Sequence, residues 1–303
     1  MKTLISVIGT TGIGKTRLAI DLAKHYNAEI LSCDSRQFFR EMKIGTAAPS
    51  EAELSEAMHH FIAHLSVQNY YSIGQFENDA LEKLSQLFEN QNVVILVGGS
   101  MMYEKAVIEG LNDLPEANAD NQKKLAEIWE KEGYEKLLET LQDIDNEYFT
   151  IVDKDNPRRI LRAIDVIWQS GKKYSELIAE PKKARDFRTI RIGIEAPREI
   201  IYQKINERVD KMMAAGLLAE VKSLAEFQES VPLKTVGYTE LFRFLNGEWD
   251  LEFAVAEIKK NSRRFAKRQL TWYRGESDIH WVNFENAFAE SLSLLEDFGI
   301  QKN

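Results

Sequence analysis

Eight residues near the amino terminus constrain this chain more than any other feature. Gly9-Thr10-Thr11-Gly12-Ile13-Gly14-Lys15-Thr16 satisfies the pattern G-x-x-x-x-G-K-[ST] at every position. Residues 4–8 before it form a short apolar run rich in strand formers. After it, Leu18, Ala19, Leu22 and Ala23 recur at helical spacing. Strand, glycine-rich loop and helix in that order bring backbone N–H groups and the positive end of a helix dipole onto one phosphate. Residues 9–16 are therefore the expected phosphate or diphosphate site. Lys15 is expected to reach the outer oxygens, and Thr16 to offer its hydroxyl to Mg²⁺. The pattern leaves the carrier of the phosphate open.

Further apolar runs at 29–33, 93–97 and 189–194 read as strands, with helical patterns at 72–89, 200–227 and 251–273. Strands alternating with helices predict a mostly parallel α/β sheet with its functional residues at the strands' carboxyl ends. The middle is different. Leu125, Ile128, Leu137, Leu141, Ile160, Ile164 and Ile167 keep a helical period, and no strand interrupts them. The predicted organisation is a phosphate-loop core of residues 1–115 and 189–303 around a helical insertion, 116–188.

Many nucleotide hydrolases end a later strand in a metal-holding Asp, but 93–97 runs into Gly98-Gly99-Ser100. Asp34, after 29–33, is the one carboxylate so placed. It is expected to serve the metal or to act as a base beside the phosphates, the competing expectation being a helix cap. His60 and His64 lie four apart and could share a helix face. With no third ligand in sight, a hydrogen-bonding or phosphate-side role is expected of them rather than zinc.

The net charge of −9 conceals an asymmetry. Residues 116–153 carry 4 basic and 11 acidic side chains, residues 154–191 carry 11 and 5, and residues 259–274 carry 7 and none. Two concentrated basic segments in an acidic chain can hold a phosphate backbone. Arg158 and Arg162 fall at i,i+4 on one predicted helix face. The second segment mixes its cations with Phe265, Trp272 and Tyr273, of which Phe265 and Trp272 are expected to pack on the core. The lone Cys33 needs no oxidising compartment. The amino-terminal apolar stretch is too short to span a bilayer, so a cytoplasmic enzyme without a signal peptide is expected.

In order along the chain stand the phosphate loop, Asp34-Ser35-Arg36-Gln37-Phe38-Phe39-Arg40 with Ile44-Gly45-Thr46-Ala47, and His59-His60. They are followed by Gly98-Gly99-Ser100-Met101-Met102-Tyr103, Arg158-Arg159-Ile160-Leu161-Arg162-Ala163, Val236-Gly237-Tyr238, and a run from Ala266 through Lys267, Arg268, Gln269 and Trp272 to Arg274. The ordered set resembles the bacterial tRNA dimethylallyltransferase (tRNA isopentenyltransferase) family over most of the chain. The resemblance implies a P-loop NTPase-like, nucleoside-kinase-like parallel sheet with an inserted helical domain. It implies transfer of a dimethylallyl group from dimethylallyl diphosphate to N6 of adenosine 37, beside the anticodon of tRNA, with release of diphosphate. The implied partners are the tRNA anticodon stem-loop and dimethylallyl diphosphate, with Mg²⁺ as cofactor, no membrane, and a monomeric protein.

Carried over residue by residue, the resemblance implies that Asp34 accepts from the adenine amine, that Lys15 steadies the leaving diphosphate, and that Thr11 lies near the transferring group. Lys234 stands where some members carry an important Arg. Asp34, Ser35, Arg36, Gln37, Ser100, Arg158, Arg159, Ile160, Leu161, Arg162, Lys267 and Arg268 are the implied tRNA contacts. Departures from the family pattern are Thr10 for Pro, Gly12 for Ala, Phe39 for Tyr, Ala48 for Lys, Ser100 for Thr and Lys234 for Arg. None touches the pair Lys15 and Asp34. Two other readings of the phosphate loop are a small-molecule or nucleotide kinase and a nonenzymatic RNA-binding module.

Overall fold

A computed structural model describes all 303 residues. The chain divides into two compact units, Met1–Ile108 with Arg185–Asn303, and Glu109–Ala184. The second unit is longer at its start and shorter at its end than the predicted 116–188. Asn112 donates to the carbonyls of Leu177, Ile178 and Glu180, which binds 109–115 to the helices. Arg185 donates to the carbonyls of Ala106 and Val107, which binds it to the sheet unit.

The first unit is built on six parallel strands. β1 (Thr3–Gly9), β2 (Ile30–Ser32), β3 (His59–His60), β4 (Val93–Val97), β5 (Arg188–Glu195) and β6 (Ile279–Asn283) lie in the order β3-β2-β4-β1-β5-β6. β1 is buried along its whole length, between β4 and β5. Its side chains alternate faces, as the two-residue period of a strand requires. Leu4 joins Leu31, Val94 and Leu96 in one core, and Ile5 and Val7 join Ile30, Ile95 and Ile192 in the other. Helices cover both faces. α1 (Lys15–Tyr26) lays Leu18, Leu22 and Tyr26 on the second core, and α2 (Glu51–Glu56) is a short capped turn. α3 (Ile73–Leu87) and α4 (Met101–Glu109) place Phe76 and Val107 in the first core.

Between β5 and β6 the chain is helical: α10 (Arg198–Ala214), α11 (Leu217–Ser223), α12 (Tyr238–Leu245) and α13 (Leu251–Arg274). The single helix predicted at 200–227 breaks at Gly216, whose φ of 100° starts α11 afresh. α14 (Ala287–Asp297) follows β6. The sequence reading missed both of these, and it missed β3. No helix is long and apolar enough to cross a membrane.

The second unit is all helix: α5 (Ala119–Glu132), α6 (Tyr134–Ile144), α7 (Asn146–Ile151), α8 (Pro157–Ser170) and α9 (Tyr174–Ala179). Leu125, Leu137, Leu141, Ile160 and Ile164 form its core. Pro157 opens α8 and Gly171, at φ 68°, closes it, the placement each residue favours. Buried Asp145 caps α7 and accepts from both the backbone N–H and the hydroxyl of Ser175.

One buried ion pair ties the sheet together. Glu104, on α4, accepts two bonds from the Arg191 guanidinium of β5 and a third from the Ser6 hydroxyl of β1. Burial pushes the Glu104 carboxyl up, against the opposing pull of Arg191 and Ser6. Glu104→Ala leaves the buried Arg191 guanidinium only Asp278 at 2.8 Å and Glu276 at 3.6 Å, at its outer nitrogen. It is expected to cost about 3 kcal/mol in denaturant unfolding, the low end for a broken buried pair. Replacing Arg191 as well with Met should recover most of that loss. Equal losses in the single and double variants would contradict the pairing.

Candidate functional site

β1 delivers the glycine-rich loop to the carboxyl edge of the sheet. Gly14 starts α1 at φ 109° with no side-chain cap, and no acidic residue occupies the first turn. The first N–H groups of α1 and its positive dipole end are thus open to an anion. The Lys15 ammonium folds back on its own loop, donating to the carbonyls of Thr10 (2.7 Å) and Gly9 (3.1 Å). Burial lowers its pKa to about 8, with Asp34 pulling it up and Arg208 pushing it down. The side chains of Thr10 and Ile13 are buried, so those two residues offer the loop only their backbone.

β2 delivers Asp34. Its Oδ1 accepts from the Arg36 N–H (3.1 Å), and Gln37 N–H closes on its carbonyl. Residues 35–38 are a turn rather than a helix, so the cap expectation becomes an Asx turn that uses one carboxylate oxygen. β4 ends beside it. A Cβ on Gly98 would stand 2.5 Å from Cys33 Sγ and 2.9 Å from Asp34 N, so only glycine lets the two strand ends meet this closely.

Gln269 joins these loops. Fully buried on α13, it accepts from the Thr11 N–H (2.9 Å) and donates to the Gly99 carbonyl (2.8 Å). Arg208, on α10, donates to the Thr46 carbonyl (2.9 Å). Burial lowers its pKa, with Asp34 acting the other way. Sequence reading assigned neither a role. Arg208 is one charge among many on its helix and carries no signal. Gln269 does carry one, a polar residue on the buried stripe that includes Ala266 and Tyr273.

These groups line one cavity of about 1000 Å³. Thr11, Gly12, Gly14, Lys15, Thr16, Asp34 and Arg208 make its polar wall. Ile44, Ala47, Leu54, Met58, Ile62, Met212 and Phe265 make an apolar one. A cavity lined by the phosphate loop with Lys15 and Arg208, and also by apolar side chains, suits a phosphorylated molecule with a hydrocarbon part. No group of three or more His, Cys, Asp or Glu could hold a metal alone. The Thr16 hydroxyl and the Asp34 carboxylate are oxygen donors on the cavity, which fits an ion that takes most of its ligands from substrate phosphate and water.

Several predicted residues sit elsewhere. Lys234 is exposed and pairs with Glu229 at 3.1 Å, outside the cavity lining, so the catalytic role expected of it finds no geometry. Ile160 is wholly buried, so its side chain is withheld from RNA, and Leu161 is half-buried against the same core. Arg162 pairs with buried Asp165 (3.0 Å) and bonds the Pro115 carbonyl, which leaves Arg158 and Arg159 as the exposed cations of that turn. Gln37 does line the cavity, its amide donating to the carbonyls of Thr46 and Ala47, whereas Arg36 donates to those of Val231 and Pro232. The Ser35 and Ser100 hydroxyls bond each other at 3.0 Å.

Lys267 and Arg268 are exposed. Phe265 lines the cavity instead of the core, whereas Trp272 packs against the core as expected. His59 and His60 form a strand, not a helix. His60 pairs with Glu29 at 2.7 Å, while His64 packs among Phe38, Phe61 and Tyr71.

Comparison with known proteins gives a consistent picture. Residues 37–276 match the family model described as IPP transferase. The tRNA dimethylallyltransferase of Christiangramia forsetii is 48% identical over 293 residues, covering 97% of each chain. That of Flavobacterium psychrophilum is 45% identical over 302 residues, covering 98% of this chain and 97% of the relative. Among solved structures, the full-length tRNA isopentenylpyrophosphate transferase of Bacillus halodurans superposes with a TM-score of 0.72 at 31% identity. That match covers 98% of this chain and 95% of the other. A eukaryotic dimethylallyltransferase acting on tRNA reaches a TM-score of 0.86 at 24% identity, over 100% of this chain and 81% of its own, a likeness of fold.

Proposed function

The chain belongs to the IPP transferase family, and from that premise we propose that its cavity binds dimethylallyl diphosphate and presents it to N6 of adenosine 37, beside the tRNA anticodon. The protein is a transferase that prenylates tRNA. The observation that carries the finer reading is the pairing of a cationic phosphate loop with an apolar wall in one cavity, with Asp34 on its lining. The diphosphate takes the N–H groups of 12–16, Lys15 and Arg208, and the five-carbon tail takes the apolar wall.

In the proposed step the N6 lone pair attacks carbon 1 of the donor as the carbon–oxygen bond to diphosphate breaks. The N6 proton passes to Asp34, which also orients the amine. Lys15 and the loop N–H groups stabilise the charge that accumulates on the departing diphosphate. Mg²⁺, held on the protein side by Thr16, would supply charge neutralisation at the phosphate oxygens. The phosphate loop and Asp34 come from one chain, so a monomer suffices. The deciding assay combines purified protein, unmodified tRNA and labelled dimethylallyl diphosphate, with nucleoside analysis for N6-dimethylallyladenosine. Label transferred instead from the γ-phosphate of ATP to a nucleoside would overturn the reading.

Arg158 and Arg159, with Lys267 and Arg268, are the proposed phosphate partners for tRNA, because all four are exposed. Replacing Arg158 and Arg159 by Gln should flatten the dependence of log binding constant on log salt. The slope should fall by roughly 0.7–0.9 for each tRNA phosphate that no longer meets a cation. Diphosphate binding should not change. An unaltered salt slope would return α8 to being a solvated face.

A further inference from the structure

The proposed chemistry leaves open what holds the backbone of Ile44-Gly45-Thr46-Ala47 in the cavity wall, and what Val236-Gly237-Tyr238 is for. The structure joins them through Glu220, on α11. Glu220 Oε2 accepts from the Ile44 N–H at 2.7 Å, and Oε1 accepts from the Gly45 N–H at 2.9 Å. The same Oε1 accepts from the Tyr238 hydroxyl at 2.6 Å. Tyr238 is fully buried with its ring against Gly45, where a Cβ would stand 2.6 Å from ring atoms. Burial and the neighbouring carboxylate hold its phenol well above the usual range, so it stays a donor.

The tethered backbone is the cavity wall. Ile44 and Ala47 line the cavity, and Ala47 adopts a positive φ of 43° that an L side chain resists. Between them the Thr46 carbonyl receives the Arg208 guanidinium. The chain of contacts thus runs from Glu220, through two consecutive N–H groups, to the carbonyl that aims Arg208.

We propose that Glu220, locked by Tyr238, is a positioning residue that holds residues 44–46 so that the Thr46 carbonyl orients Arg208 for diphosphate. This rests on the reading of the cavity as a diphosphate site. A carboxylate suits the task because both of its oxygens accept, and three donors converge on them. Leu217 and Val221 hold α11 in the core independently, so losing the carboxylate unties the wall without removing the helix.

The test titrates inorganic diphosphate into the wild-type protein, Glu220→Gln, Tyr238→Phe and the double variant by calorimetry, with melting temperatures alongside. It also measures KM for dimethylallyl diphosphate and kcat at saturating tRNA. Glu220→Gln keeps the size but leaves one accepting oxygen for three donors. It should weaken diphosphate roughly tenfold and raise the donor KM in parallel, with tRNA affinity unmoved. Tyr238→Phe keeps the buried ring, should shift both in the same direction by less, and carries the test should Glu220→Gln not fold. The double variant should be little worse than Glu220→Gln, because both changes loosen one loop. Lower melting temperatures with wild-type diphosphate affinity and KM would overturn the inference alone, leaving a structural clamp. Wild-type protein that takes up no diphosphate would overturn the reading of the cavity and this inference with it.

Discussion

Lys15→Ala is expected to lower prenyl transfer on the order of 10²–10³-fold while tRNA affinity stays within a fewfold of wild type. The ammonium faces the loop carbonyls of Gly9 and Thr10, on the wall proposed for diphosphate, and it lies in the unit that lacks Arg158 and Arg159. Its lowered pKa, about 8, adds a signature that a merely structural lysine lacks. Above neutral pH a growing share of the empty sites carries a neutral Lys15, and diphosphate selects the charged form. Binding there should therefore be accompanied by proton uptake at Lys15, and affinity should fall as pH rises further. Calorimetry in two buffers of different ionisation enthalpy reads the uptake directly, and Lys15→Ala should abolish this component.

The linked effect on the empty protein has the opposite sign. The folded-state pKa lies below the value of 10.5 for the unfolded chain. Between pH 8 and 10.5 the unfolded chain binds the additional proton, so this group's contribution to stability rises with pH across that window. Below pH 8 both states are protonated and the burial penalty is fully present. Proton uptake unchanged in Lys15→Ala would contradict the placement.

The parts of the fold that could be read in advance are those in which local sequence and tertiary environment agree. β1 and β4 are buried on both faces, and continuous apolar runs announce them. β3 is two residues long and β6 begins Ile-His-Trp, so neither offers a run to detect, and β2 keeps three of its five predicted residues. The helical insertion was legible from its period. Its ends were not, because Asn112 and Arg185 set them through bonds to distant carbonyls.

The site divides in the same way. A phosphate loop is a local device and its sequence is its structure. Asp34 was legible because it ends a strand. Arg208 and Glu220 were not, because each works by meeting a loop far along the chain, Thr46 and Ile44. Gln269 showed only as a polar residue on a buried stripe, its partner Gly99 being equally distant. Lys234, expected from the resemblance to stand for an important Arg, is exposed beside Glu229, whereas α10 brings Lys204, Arg208 and Lys211 to the cavity lining. Arg162 is an expected RNA contact from helical spacing and from the resemblance, and neither reveals that Asp165 and the Pro115 carbonyl bond it within the helical unit.

Asp34→Asn is expected to lower the single-turnover rate by about 10²–10⁴-fold, the range for loss of a positioned base. The substitution is mild structurally. The amide oxygen can still accept from the Arg36 N–H, so the Asx turn that aims residues 34–37 survives, and Gln37 still closes on the backbone carbonyl. Asp34→Ala removes the turn as well and should lower the melting temperature further at similar activity. What separates chemistry from binding is the sign of the effect on diphosphate. The carboxylate lies within electrostatic reach of both Lys15 and Arg208 and raises the pKa of each. It also repels an anion that those two cations attract. Removing its charge should leave diphosphate binding below pH 8 as tight as in wild type or tighter, while transfer collapses. The Lys15 pKa should fall further without its neighbour, so the affinity loss with rising pH should begin at a lower pH in Asp34→Asn. A role confined to the turn predicts none of this. It gives a destabilised protein with near-normal turnover once folded and an unmoved pH profile. Single-turnover rates, melting temperatures and diphosphate titrations on the same three proteins separate the two, and a fully active Asp34→Asn would remove Asp34 from the chemistry.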